Sequence, residues 1–149
     1  MLVREVMTRG AESIAPNESL QMAALRMREV GVGTLVVCEE GRPIGIITDR
    51  DIVVRGIAAG RDPVLAEVRS AMTPQVVFCS EDDDIPTAAR LMEGHALRRI
   101  AVVDPEERLV GMLSVDDLAL HSRVLAGEVI EHASMPERPA DGGVWPWWE

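Results

Sequence analysis

Gly45-Ile46-Ile47-Thr48-Asp49-Arg50-Asp51 and Gly111-Met112-Leu113-Ser114-Val115-Asp116-Asp117 are two versions of one phrase. In each, a glycine is followed by two apolar residues, a hydroxyl side chain and, three residues on, an aspartate. The apolar run reads as the end of a strand, and the hydroxyl-x-x-carboxylate spacing reads as the start of a helix. The chain around the phrase repeats in the same order. Met7-Thr8 returns as Met72-Thr73, and Leu20-x-x-Ala23-Ala24-x-x-Met27 returns as Ile85-x-x-Ala88-Ala89-x-x-Met92. Leu35-Val36-Val37-Cys38 returns as Ile100-Ala101-Val102-Val103. The offset is 65 residues up to the hairpin loops and 66 beyond them, because Asp104-Pro105-Glu106-Glu107-Arg108 is one residue longer than its counterpart. Two copies of one supersecondary unit imply two halves related by a pseudo-two-fold axis, with paired clefts between them.

Each half reads as a short extended stretch (12–15 or 76–79), a helix, two strands and a second helix. In the first half Asn17 is the expected N-cap, and Leu20, Ala23, Ala24, Met27 and Val30 form an apolar stripe at helical spacing. In the second half Asp82 to Asp84 place negative charge at the helix start, where the dipole favours it. Gly31 and Gly33 end the first helix. The strands Thr34 to Cys38, Ile44 to Ile47, Ile100 to Val103 and Leu109 to Leu113 are almost continuously apolar, so both faces of each sheet are expected to be covered. Second helices are expected to begin near Asp51 and Asp117.

Composition narrows the function. The 149 residues suffice for one compact domain or two small co-folded halves. A net charge of −10 argues against a general binder of nucleic acid or anionic membrane, so a phosphate ligand would need locally placed arginines or helix N-termini. No run approaches the ~20 apolar residues of a membrane span, and no signal-peptide core is visible. Cys38 and Cys79 lie in apolar runs and read as buried thiols, consistent with a reducing cytoplasm. The three histidines and two cysteines have no metal-ligand spacing.

The repeated phrase has two readings. In one, Thr48-x-x-Asp51 and Ser114-x-x-Asp117 are helix caps and nothing more. In the other, the same helix start receives a ligand. Free N–H groups and a hydroxyl suit a phosphate, a carboxylate one turn on can accept from a ribose diol, and Gly45 and Gly111 leave room for the ligand to approach.

These residues carry a resemblance to a known family. Val6-Met7-Thr8, Ala71-Met72-Thr73, the two phrases above and Leu97-Arg98-Arg99-Ile100-Ala101-Val102-Val103-Asp104 together resemble a tandem pair of CBS domains, a Bateman module, over about residues 3–125. The resemblance implies an α+β (α/β-type) fold of two β-α-β-β-α repeats packed through their sheets. It implies a homodimer forming a flat four-repeat disc, and a non-catalytic regulatory function. The implied ligand is adenosine-containing: AMP, ADP or ATP first, with NAD or S-adenosylmethionine as alternatives. No resident cofactor, catalytic residue or metal site is implied.

Carried onto this chain, the resemblance makes Asp51 the holder of the ribose hydroxyls and Thr48 a phosphate contact. Ile46 and Val77 would line the base slot, with Gln75 and Val77 offering backbone groups to the base edge. Arg98 and Arg99 would bind phosphate through planar forks, with Arg50 assisting. The second cleft would use Met112, Ser114 and Asp117, but Gly33 and Thr34 stand where the first has its arginine pair, and Glu12 stands where the first has Val77. The clefts are therefore expected to be unequal: a phosphorylated adenosine ligand beside Asp51, and a weaker or less charged one beside Asp117.

The repeats are assigned to residues 1–64 and 65–132, and a Pro/Gly/Trp tail to 133–149. The tail carries Trp145, Trp147 and Trp148 and reads either as a flexible end or as a segment docked in a groove. The regulated partner protein is not legible. A competing reading is a dimeric interaction scaffold with vestigial clefts.

Overall fold

The structure is a computed structural model that describes residues 1–74 and 76–134. A one-turn helix α1 (Val3–Val6) and a two-residue strand β1 (Thr8–Arg9) lead into β2 (Ser13–Ile14), helix α2 (Leu20–Val30) and the hairpin β3 (Thr34–Glu39) and β4 (Arg42–Thr48). Helix α3 (Asp49–Asp51) then continues as a π-helix over Ile52–Ile57. After a single 3-10 turn at Val68–Ser70 the pattern repeats as β5 (Phe78–Ser80), α4 (Ile85–Gly94), β6 (Arg99–Val103), β7 (Leu109–Ser114), α5 (Val115–His121) and a terminal helix α6 (Arg123–Ser134). The α+β architecture of two repeats expected from the internal duplication is the one observed.

Local chemistry explains the boundaries, with some shifts from expectation. The N-cap of α2 is Ser19, whose hydroxyl accepts from the Met22 N–H at 3.1 Å; Asn17 lies two residues too early to reach that turn. Gly31 closes α2 in the left-handed region at φ 76°, a conformation glycine adopts without steric cost. Asp84 caps α4 by accepting from the Thr87 N–H at 2.8 Å, and hydrogen bonding from the Thr87 side chain and then from this N–H holds its carboxyl below the usual range. The second helices start at Asp49 and Val115, two residues before the aspartates.

In each repeat the hairpin pairs antiparallel, and the short leading strand adds in parallel to its first strand: β2 to β3 and β5 to β6. Side chains alternate along a strand. Leu35, Val37 and Ile47 face α2 in one core, and Ile100, Val102 and Leu113 face α4 in the other. In the second core Ala126 and Val129 of α6 are also buried, so α6 covers the α4–α5 surface.

The two cores interleave along the chain. Val3, Val6 and Met7 belong to the core of the second repeat, and Val68, Ala71 and Met72 to that of the first. The N-terminal segment is bonded there by Val3 N–H to the Asp83 carbonyl at 2.9 Å and Arg4 N–H to the Glu81 carbonyl at 3.0 Å. Strand β1 then pairs with β7, matching Thr8 to Met112. The counterpart Thr73 exchanges two hydrogen bonds with Ile46 of β4, at 3.0 and 2.8 Å. Each repeat thus lends its leading Met-Thr segment to the other repeat's hairpin.

This exchange corrects the reading of the phrase glycines. A Cβ on Gly45 would stand 2.7 Å from the Thr73 carbonyl oxygen, and one on Gly111 would stand 2.6 Å from that of Thr8. The missing side chains make room for the crossing backbone of the other repeat rather than for a ligand. Both cysteines are free thiols. Cys38 is half-buried, while Cys79 is buried, and desolvation with the nearby Asp83 charge pushes it up to about 12.

Gly111→Ala must displace backbone and is expected to cost about 1–3 kcal/mol in chemical denaturation. Gly127→Ala, in α6 with open space around it, is expected to stabilise by about 0.5–1 kcal/mol. A fragment ending at residue 64 lacks Val68, Ala71 and Met72 of its own core. It is expected to show no cooperative thermal transition.

Candidate functional site

Cross-strand partners share a sheet face. On β3 and β4, Thr34 stands opposite Thr48 and Val36 opposite Ile46. On β6 and β7, Arg99 stands opposite Ser114 and Ala101 opposite Met112. These residues alternate with the core residues of their own repeats, so they face the other way. Val36 and Ala101 are nonetheless buried, at 2% and 0% exposure, and belong to neither core. The surface covering them is the opposite repeat. Each repeat therefore presents a matching quartet to the seam, and the large chemical difference between the two is Thr34 in one against Arg99 in the other.

The hydroxyl of each quartet also caps a helix. The Thr48 hydroxyl accepts from the Asp51 N–H at 3.1 Å, and Asp51 Oδ2 accepts from the Thr48 N–H at 3.0 Å. In the second repeat the Ser114 hydroxyl accepts from the Asp117 N–H at 3.1 Å, while Asp117 Oδ2 lies 2.8 Å from the Ser114 N–H and 2.9 Å from its hydroxyl. Both phrases are thus complete capping boxes. The cap engages one carboxylate oxygen, Oδ2, in each aspartate. The capped aspartates are half-buried at the edge of the seam, with the Asp51 side chain 16% exposed.

Beside Asp117 the seam opens into a cleft of about 390 Å³. The second repeat contributes Arg99, Met112, Ser114 and Asp117; the first contributes Thr8, Glu12, Val32 and Thr34, with backbone exposed at Gly10. The volume is in the range of small-molecule sites, and the lining combines apolar side chains with a few convergent polar groups. Met112, Ser114, Asp117, Glu12 and Thr34 lie where the sequence reading put them. Arg99, expected beside Asp51, also lines this cleft. The reason is register, since Arg99 opens β6 directly opposite Ser114. The cleft expected to lack an arginine pair therefore has one arginine, in a lining that also includes Asp117 and Glu12.

Arg98 is exposed, and its carbonyl accepts from the Val115 N–H at 2.9 Å, mirroring the Gly33 carbonyl and the Asp49 N–H at 3.0 Å. Arg50 is exposed, with its N–H donating to Asp49 Oδ1 at 2.8 Å. Ile46 is half-buried on the seam, and Val77 is half-buried against the core of the second repeat. Gln75 lies outside the described residues, as do residues 135–149 with the tryptophans.

The sequence reading missed Arg55. Its Nε stands 3.9 Å from Asp51 Oδ1, and its Nη1 donates to the Met72 carbonyl at 3.4 Å. The i, i+4 spacing from Asp51 was the available signal.

Among the described residues no cluster of three or more His, Cys, Asp or Glu could hold a metal, and no helix is long and apolar enough to cross a membrane.

Comparison with known proteins agrees with this geometry. Hypoxic response protein 1 of Mycobacterium tuberculosis is 36% identical over 119 residues, spanning 79% of this chain and 82% of that one. A crystal structure of Hypoxic Response Protein I with two coordinated zinc ions superposes at TM-score 0.74 with 35% identity, over 82% of this chain and 99% of that one. The CBS domain pair of protein MJ0100 in complex with 5-methylthioadenosine and S-adenosyl-L-methionine matches at TM-score 0.67 and 25% identity, over 86% and 98% of the chains. The cytosolic domain of the Mg2+ channel MgtE in complex with ATP matches at TM-score 0.66 and 29% identity, over 76% of this chain and 45% of that one. The CBS domain model itself matches twice, at residues 3–56 and 66–123. Two interleaved repeats, a shared seam and paired capping-box aspartates thus identify this chain as a tandem CBS-domain pair, a member of the CBS family.

Proposed function

We propose that this chain is a non-catalytic regulatory module that takes adenosine-containing ligands at the seam between its repeats. The observation that carries the reading is the duplicated placement of a capped aspartate beside an apolar seam residue, Asp51 with Ile46 and Asp117 with Met112. In each aspartate the cap engages Oδ2, which leaves Oδ1 to accept from a ribose hydroxyl. The adjoining helix start and hydroxyl suit a phosphate. Ligand complexes of MJ0100 and MgtE, which are similar to this chain, support an adenosine ligand.

The two clefts are proposed to differ in the ligand charge they accept. Beside Asp117, one arginine, Arg99, shares the lining with two carboxylates, Asp117 and Glu12, so the local charge balance disfavours a polyphosphate. A nucleoside carrying little negative charge fits there, such as an adenosine thioether or sulfonium. The Asp51 cleft has Arg55 beside its aspartate and Val77 in the position of Glu12, and is assigned AMP, ADP or ATP. A ligand touching both repeats would favour one relative arrangement of them and so transmit its presence to a partner. Catalysis is not part of the reading, because the Thr48 and Ser114 hydroxyls serve as cap acceptors.

An assembly role is favoured by a separate observation. The α4–α5 surface is covered by α6, whereas among the described residues nothing covers the corresponding groove of the first repeat. It holds about 420 Å³ between α2 and the π-helix, with Val53 at 55% and Ile57 at 60% exposure. A homodimer through this face would bury it.

Thermal unfolding with adenosine, AMP, ADP, ATP, NAD and S-adenosylmethionine tests the sensor reading. A ligand at 100-fold its Kd should raise Tm by about 5–10 °C. No shift from any of them counts for the scaffold. In calorimetry, Asp51→Asn should weaken the phosphorylated ligands about 10-fold or more, and Asp117→Asn should weaken them less than about 3-fold. Equal losses would remove the distinction between the clefts. Light scattering should report twice the 16.3 kDa chain mass, and Ile57→Glu should halve it.

A further inference from the structure

Arg55 lies outside the repeated phrase, on the π-helical stretch Ile52–Ile57, a helix geometry that is rare and usually brief. Its guanidinium makes two approaches. Nε stands 3.9 Å from Asp51 Oδ1, and Nη1 donates to the Met72 carbonyl at 3.4 Å. The first distance is within ion-pair range but beyond hydrogen-bond range, so Oδ1 retains its lone pairs for another donor. The other oxygen of the same carboxylate is fixed by the Thr48 N–H at 3.0 Å. The carboxylate is therefore held at one oxygen by the cap and drawn at the other by Arg55.

The second approach joins the two repeats. Met72 belongs to the core of the first repeat, and the next residue, Thr73, exchanges hydrogen bonds with Ile46 on the seam. One side chain thus reaches both the aspartate at the cleft and the segment by which the second repeat crosses the first. The other repeat lacks this device. His121 occupies the corresponding position, α5 ends there, and Asp117 has no ion-pair partner among the described residues.

We propose that Arg55 is the positioning residue for Asp51: it aims the free carboxylate oxygen at a ribose diol and couples that recognition to the contact between repeats. The inference rests on the nucleotide reading of the Asp51 cleft given above. The Arg55 side chain is 53% exposed, and ion pairs so exposed add little to stability. A merely structural role would then move neither Tm nor the discrimination between sugars, whereas a positioning role moves the second.

The experiment is calorimetric titration with AMP and 2′-deoxy-AMP, in the Asp117→Asn background so that the Asp51 cleft reports alone. With Arg55 present, AMP should bind about 10-fold more tightly than its 2′-deoxy form, the size of one charge-assisted hydrogen bond. Arg55→Gln should shrink that ratio by about 5-fold with little change in Tm, and Arg55→Lys should restore it to within about 2-fold. Intact AMP binding with an unchanged ratio in Arg55→Gln overturns the role of Arg55 and leaves the nucleotide reading standing. Absence of AMP binding to the unsubstituted chain overturns the nucleotide reading and this role with it.

Discussion

The structure depends on a close approach of backbone to backbone at two places. The carbonyl of Thr8 passes over Gly111, and that of Thr73 passes over Gly45, at distances that no Cβ would tolerate. At each crossing a Met side chain packs beside the glycine, with the Met7 and Met72 sulfurs 3.0 and 2.9 Å from where a Cβ would be. The crossings hold each leading segment against the other repeat's hairpin. They bring the inner faces of the two sheets together and so define the seam. The cleft beside Asp117 is what remains of that seam where the packed residues Val36 and Ala101 give way to hydroxyls, carboxylates and one arginine.

The phrase that marks the fold is economical because the same atoms serve structure and site. Thr48 and Ser114 satisfy helix N–H groups that would otherwise lack partners. Each aspartate returns a bond to the hydroxyl residue's own N–H and is thereby oriented. A preoriented carboxylate loses less side-chain entropy when a ligand hydroxyl binds than a free one would. Capping and ligand recognition are thus compatible uses of one arrangement, and finding the caps intact leaves the second oxygen for the ligand.

The near-symmetry of the repeats makes the departures from it informative. Thr34 against Arg99, Glu12 against Val77 and Arg55 against His121 are equivalent positions at which the two repeats diverge in charge. Helix α6 is a further departure: it covers the second repeat and, among the described residues, has no equivalent over the first.

Much of this was legible in the order of residues. The duplication, the four main strands and the helix starts at the repeated phrase follow from local rules: alternation, apolar stripes and capping chemistry act within a few residues, and a repeat shows them twice. The family and the candidate aspartates were legible for the same reason. The N-cap at Ser19 was misplaced by two residues because Asn17 and Ser19 are both good caps and only the docked helix selects one. What the tertiary structure alone decided was which segments meet across the seam. The exchange of Met-Thr segments, the true purpose of Gly45 and Gly111, the presence of Arg99 in the Asp117 cleft and the reach of Arg55 to Met72 all join residues far apart in the chain. Their pairing depends on sheet register and on the packing of one repeat against the other, which neither composition nor local spacing encodes.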